Sequence, residues 1–417
     1  RDYYASRGLG DVYKRQAEKE REMKLTEETP FFFIYSVWTK NGEYREQVKR
    51  LVTDYDNYIS LKLAGDDAYL SEKMVGYPAE LDEVYAESFE EQKKEWFSCV
   101  GDGIQECRNT WEHKKWNITD FPEFELAITI DRPELYYDFL QKEWTRFCHD
   151  YWKNNFLEHH TLSQKRVTRI YIGNQFCHNL FPKKKLLFQV LEKALENNLA
   201  VTLAFTYIRD HLLEEIDELL QELEVWCQSR EKEAGKDQEE IIVNDWAMPI
   251  LLQGKPHLKP VLGVLLNKRR KDVRLPYKHG IGNHVDSLAE NNLNCGFYQD
   301  YLKNTFDIQR FEFESCGYKV TIPDGHHSLH LPFFQTNTSQ YCTLYAVCRY
   351  GDREKQKLPE NCPRYCNKKV FLYPKHLKMV GRYNSLFGYD EKILWDEKQL
   401  QDYLEQGIDR IVVNVSL

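Results

Sequence analysis

Nowhere in the 417 residues is there an unbroken apolar run of about twenty, the length a membrane-spanning helix needs, and no stretch reads as a secretory signal. The first absence removes any expectation of a membrane span. The second argues against an oxidising destination, so a reducing cytoplasm is the expected setting. Net positive charge is missing too. A formal charge of -9 and a pI near 5.9 exclude a generic binder of nucleic acid or membrane surface, although local basic patches survive. Cysteine is sparse: eleven in a chain this long are too few for a disulfide scaffold. Apolar material is not scarce. With 42% hydrophobic and 14% aromatic residues, the chain has the means to bury two or three cores.

Four of the cysteines are concentrated. Cys342, Cys348, Cys362 and Cys366 follow a Cys-x5-Cys-x13-Cys-x3-Cys pattern within residues 342–369, among Arg349, Arg353, Lys355, Lys357, Arg364, Lys368 and Lys369. Buried hydrophobes have no reason to collect in so basic a segment, whereas soft thiolates on one loop suit zinc or an iron–sulfur cluster. The spacing alone fits a zinc site made of these four. Cys99, Cys107 and Cys148 lack metal spacing and are expected to be ordinary buried or surface residues.

The opening sixteen residues, RDYYASRGLGDVYKRQ, resemble a translated sequencing-adapter remnant and are set apart from the fold. A first, α+β domain is expected over residues 26–157. The aromatic run from Phe31 to Trp38 reads as a buried strand, residues 43–63 as an amphipathic helix, and residues 123–130 as a second strand followed by a helix opening at Asp131 and Pro133. No Gly-rich phosphate loop occurs there. A polar join at residues 159–164 is the expected domain boundary.

From Val167 the pattern alternates strand and helix. Strands are expected at residues 169–174, 200–205, 240–243, 259–266, 309–314 and 409–415, with another at 318–322, and helices between them. About seven β/α steps over residues 165–417 predict a TIM-like barrel, irregular or incomplete, with a doubly wound sheet as the alternative. In a barrel the strand C-termini carry the chemistry. Those positions hold Asn174 with Cys177, Thr206 with Tyr207, Asn244 with Asp245, Asn267 with Lys268, Glu314, and His330, although Asn and Asp also end strands because they favour turns. Asp245 and His330 are the candidate catalytic residues, His330 for substrate contact or proton transfer near neutral pH. His326 and His327, beside Asp324 and Gly325, are expected in a turn.

The segments Arg169 to Cys177, Ile242 to Trp246 and Val261 to Arg269, followed by a cysteine-rich loop, resemble the peptidase U32 family, and within it the iron–sulfur members of the UbiU and UbiV type. The likeness covers residues 165–417. It implies a 4Fe-4S cluster held by Cys177, Cys342, Cys362 and Cys366, with Cys348 as the rival ligand. It also implies part in an oxygen-independent, hydroxylation-type modification of a small molecule or RNA, together with a redox partner or a paralogous U32-like subunit. The peptidase members carry a His-Gly signature near the first late cysteine, where this chain has Ser339-Gln340-Tyr341; that departure weakens a peptidase reading. A non-enzymatic, zinc-stabilised binding protein is the remaining alternative.

Overall fold

A computed structural model describes residues 121–234, 239–273, 288–350, 355, 357–359, 361–372 and 378–415, with shorter pieces at 23–28, 33–37, 41–46, 60–61, 73–74 and 89–97. The opening sixteen residues, Cys99 and Cys107 lie outside these. The chain divides into two units, Arg1–Asp82 with Arg274–Asn283, and Glu83–Val273 with His284–Leu417. In the first, Met23–Glu28 pairs antiparallel with Phe33–Val37, the aromatic strand expected from sequence, and Ser60–Leu61 pairs with Lys73–Met74. The amphipathic helix expected over 43–63 falls largely outside the described residues.

The second unit is built on eight parallel strands. Around the sheet they run Glu125–Ile130, Arg169–Gly173, Ala200–Ala204, Glu239–Val243, Leu258–Leu262, Glu312–Glu314, His327–Leu331 and Ile408–Val413, which is also their order in the chain. Ile408–Val413 pairs back onto Glu125–Ile130, and a parallel bridge between Leu262 and Phe311 brings the fifth strand to the sixth. The sheet is thus a nearly closed, TIM-like barrel rather than an open doubly wound one. Helices Pro133–Gln141, Trp144–Asn154, Lys184–Glu196, Leu213–Ala234, Ala247–Leu251, Gly296–Phe306 and Glu397–Glu405 occupy the connections. Among the described residues no helix is long and apolar enough to cross a membrane.

Strand periodicity divides the core in two. Leu126, Ile128, Ile130, Ile170, Ile172, Leu203 and Ile241 face outward into the main apolar core, whereas Ala127, Tyr171, Ala204, Ile242, Val261 and Val412 form a separate inner cluster. Much of the remaining interior is ionic. Arg410 grips Glu240 through two bonds of 2.6 and 3.0 Å and Glu125 at 2.6 Å, and Arg169 reaches Glu125 at 3.0 Å.

Several expectations are corrected. Glu125–Ile130, assigned from sequence to a separate N-terminal domain, is the first barrel strand, hydrogen-bonded on both edges. The supposed join at residues 159–164 is packed: His160 and Leu162 are 4% and 1% exposed, and His160 Nε2 lies 2.7 Å from the Leu394 carbonyl oxygen. The strand expected at 318–322 is absent, and His327–Leu331 fills that place, with His327 buried inside it rather than in a turn.

Between the seventh and eighth barrel strands the chain makes a four-stranded antiparallel sheet, Phe333–Thr338, Ser385–Tyr389, Met379–Arg382 and Phe371–Leu372 in spatial order. This insertion contains the helix Thr343–Tyr350 and all four late cysteines. It leaves the barrel at the C-terminal end of a strand, so it stands on the rim where Cys177 emerges.

Candidate functional site

Cys177 is delivered by the turn that ends the second barrel strand. Gly173 there has φ of +110°, and a Cβ on it would lie 2.6 Å from the Ala204 carbonyl oxygen, so only glycine fits. The next residue, Asn174, accepts from the backbone N–H groups of Phe176 and Cys177, both at 2.9 Å, and this side-chain turn swings the thiol over the rim.

The other three thiols come from the insertion. Cys342 stands just before Thr343–Tyr350, where its sulfur accepts from the Tyr345 N–H at 3.3 Å and donates to the Tyr383 carbonyl oxygen at 3.0 Å. A sulfur at a helix start enjoys the partial positive charge of the free N–H groups. Cys362 and Cys366 flank a tight turn through Arg364, which has φ of +53°. Arg382 secures it, its Nε donating to the Cys366 carbonyl oxygen at 3.1 Å.

Cys177, Cys342, Cys362 and Cys366 line one pocket of about 550 Å³, part of it open solvent, together with Tyr207, Arg209, Tyr383 and Asn384. Burial pushes the Cys342 thiol up to about 11 and that of Cys366 to about 12, and raises Cys177 further; for all three, neighbouring cysteines of this set add to the shift. Such thiols stay protonated unless a cation compensates the thiolate. Cys348, on the same helix, does not line the pocket, although it lies near enough to add to the shift of Cys342. As the side chains lie, no group of three or more His, Cys, Asp or Glu among the described residues is gathered closely enough to hold a metal ion. The donor chemistry nevertheless fits a thiophilic group: four soft ligands face one space, and two residues lining it, Arg209 and Tyr383, carry buried donors, Nε and the hydroxyl, that have no partner.

A second pocket, about 480 Å³ and also partly open, occupies the barrel mouth. His330 lines it and bonds Glu312 through Nε2 at 2.5 Å, while the Tyr171 hydroxyl donates to the same carboxylate at 3.1 Å. Burial would raise the Glu312 carboxyl, but the hydrogen bond and charge of His330 and the charge of Arg410 outweigh it and hold it low. One layer of rings separates the two pockets. Phe176 and Phe387, which line the mouth, meet edge-on at 4.9 Å, and Phe387 meets Tyr383 of the cysteine pocket at 6.3 Å.

Of the rim residues picked from sequence, Asn174, Glu314 and His330 line the mouth, and Cys177 and Tyr207 line the cysteine pocket. Asp245 is not brought to either. Its Oδ1 accepts from the N–H groups of Ala247 and Met248 at 3.0 and 3.1 Å, and Oδ2 accepts from the Ile208 N–H, so it ties the first turn of the short helix Ala247–Leu251 to the loop that follows the third strand. Asn244 ties Phe205 to Gln175, and Asn267 donates to the Glu312 carbonyl oxygen at 3.0 Å. Lys268 is exposed, its backbone N–H bonded to Asn292. The sequence reading overlooked Glu312, although the alternation Phe311-Glu312-Phe313-Glu314 puts both glutamates on the inner face. Arg209, Tyr383 and Asn384 carried no motif. Comparison with known proteins finds no matching family model, no matching curated protein and no matching solved structure.

Proposed function

We propose that this is an iron–sulfur protein in which Cys177, Cys342, Cys362 and Cys366 hold a 4Fe-4S cluster on the barrel rim, beside a substrate pocket in the barrel mouth. One observation carries the reading. Cys177 comes from the second barrel strand, about 165 residues before Cys342, yet it lines the same pocket as three late cysteines while Cys348 does not. A zinc loop built from the late cysteines alone has no use for Cys177, whereas the cluster reading needs it. The resemblance to iron–sulfur members of the peptidase U32 family supports the same set. It also supports an oxygen-independent, hydroxylation-type modification of a small molecule or RNA in a reducing cytoplasm, served by a redox partner or a paralogous subunit.

The bound cluster would supply one-electron transfer. The chain's own residues bind the substrate at the mouth, screen it from the cysteines with Phe176 and Phe387, and hold a proton at His330, whose orientation Glu312 fixes. Anaerobic purification with iron, sulfide and zinc analysis tests the reading. Cys177→Ser replaces a soft ligand by a hard hydroxyl and is expected to lose most of its iron per folded monomer, while Cys348→Ser keeps it. Stoichiometric zinc without iron, or iron loss in the Cys348 variant alone, would overturn the assignment.

A further inference from the structure

Buried donors without acceptors are costly, and a folded protein seldom tolerates them without a purpose. Two such donors belong to the wall of the cysteine pocket. The Tyr383 hydroxyl has no partner although the residue is only 3% exposed, and the Nε of Arg209 has none although its Nη2 is engaged by the Tyr207 hydroxyl at 3.1 Å and by the Gln340 carbonyl oxygen.

The two come from different segments, joined through the Tyr207 hydroxyl, which accepts from Arg209 and from Asn384. Arg209 follows the third barrel strand, and Tyr383 sits at the turn between Met379–Arg382 and Ser385–Tyr389. Tyr383 has φ of +56°, a region that bulky side chains rarely enter, so the turn accepts backbone strain to keep that ring in place. Its carbonyl oxygen is already the acceptor for Cys342, and the Arg382 guanidinium lies 5.4 Å from its ring centroid. The residue lines the cysteine pocket, and Asp131, Arg382, Arg132 and Cys366 are the charged or titratable groups that bear on its unpartnered hydroxyl.

We infer that the Tyr383 hydroxyl and Arg209 Nε donate hydrogen bonds to the sulfurs of the bound cluster and set its reduction potential. The inference rests on the cluster reading above. A cluster with four thiolates is anionic and gains one more negative charge on reduction, so donors aimed at its sulfurs favour the reduced form. The bond is present in both oxidation states and is stronger to the more negative one; a full charge-assisted bond, close to tenfold in an equilibrium constant, is the upper bound of the shift.

The test uses the full chain purified anaerobically as wild type, Tyr383→Phe and Arg209→Gln, with iron and sulfide counted per monomer and the midpoint potential read by spectroelectrochemical titration. Wild-type iron content is expected in both variants. Each potential is expected to fall, by up to about tenfold in the one-electron equilibrium, about 59 mV. Unchanged or raised potentials at wild-type iron content would overturn the assignment and leave the cluster reading standing; a fall in one variant alone would keep that donor and remove the other. Wild-type protein without iron or sulfide would overturn both. Tyr383→Phe keeps the ring and Arg209 lies on a different segment, so a folding failure in one leaves the other to decide.

Discussion

Arg410 shows how much of the barrel depends on single residues. It is 3% exposed and is the hub of the ionic interior, in contact with Glu240, Glu125 and the Tyr171 hydroxyl. Burial alone would raise the Glu240 carboxyl, but the charges of Arg410 and Arg169 and bonds from Arg410 and Thr202 hold it down to about 2. Removing one partner of a buried pair costs about 3–5 kcal/mol because the other charge is stranded, so Arg410→Met is expected to lose that much in denaturant unfolding at pH 7. The sign with pH follows. Glu240 titrates at about 2 folded and about 4.3 unfolded, so its contribution is complete above the unfolded value and is lost as pH falls from about 4 to about 2. The deficit of the variant should therefore shrink over that window. None of this network was legible, because Glu240 and Arg410 stand 170 residues apart and each, alone, looks like a polar interruption of an apolar strand. The place of Cys177 just past a strand end was legible for the opposite reason: the Gly-Asn pair that turns its chain is local.

At the scale of elements, the buried parallel strands announced themselves as short apolar, β-branched runs. The antiparallel insertion did not. Its strands are two to six residues long, its sharp reversal rests on Tyr383 at positive φ, and Lys378 at the entry to Met379–Arg382 is also at positive φ, both residues with no preference for that region. The helix Phe89–Phe97 also went unread, yet it brings a lysine into the core. Lys93 Nζ lies 2.5 Å from Asn155 Oδ1 and also meets the Val415 carbonyl oxygen, and Trp96 stacks on Tyr389 at 5.1 Å. Burial lowers the Lys93 ammonium to about 7, with the charge of Glu90 opposing and those of Arg132 and Arg382 assisting. Between about 7 and the unfolded value of about 10.4 the unfolded chain holds one proton more, so stability from this group rises with pH across that range. Lys93→Met removes the titration. Its stability relative to wild type should be greatest below pH 7 and decline steadily towards pH 10; a difference that is flat with pH would show that Lys93 is not buried as described.

For the whole molecule, sequence and structure part company over where the barrel begins. The alternation of strand and helix was read from residue 167 onward, but the same grammar already holds at Glu125–Ile130 with its following helices, and only the polar stretch 159–164 suggested a break. Polarity misled there because the segment satisfies itself. Ser163 Oγ donates to the His160 carbonyl oxygen at 2.7 Å, His160 Nδ1 accepts from the Leu162 N–H at 3.1 Å, and its other ring nitrogen docks on the segment that precedes Glu397–Glu405. A protease needs a stretch of exposed, extended chain, which here would mean detaching His160, Leu162 and Val167 from the core and then the second strand from the first. Exposed side chains are not enough for cleavage: Arg166 is exposed and offers trypsin a site, but its backbone is tied between buried neighbours. Cleavage after Arg166 should accordingly track global unfolding and keep pace with sites inside the barrel strands as denaturant is added. Rapid tryptic cutting at residues 165–166 in native buffer, with the barrel fragment surviving, would restore the two-domain boundary and remove Glu125–Ile130 from the barrel.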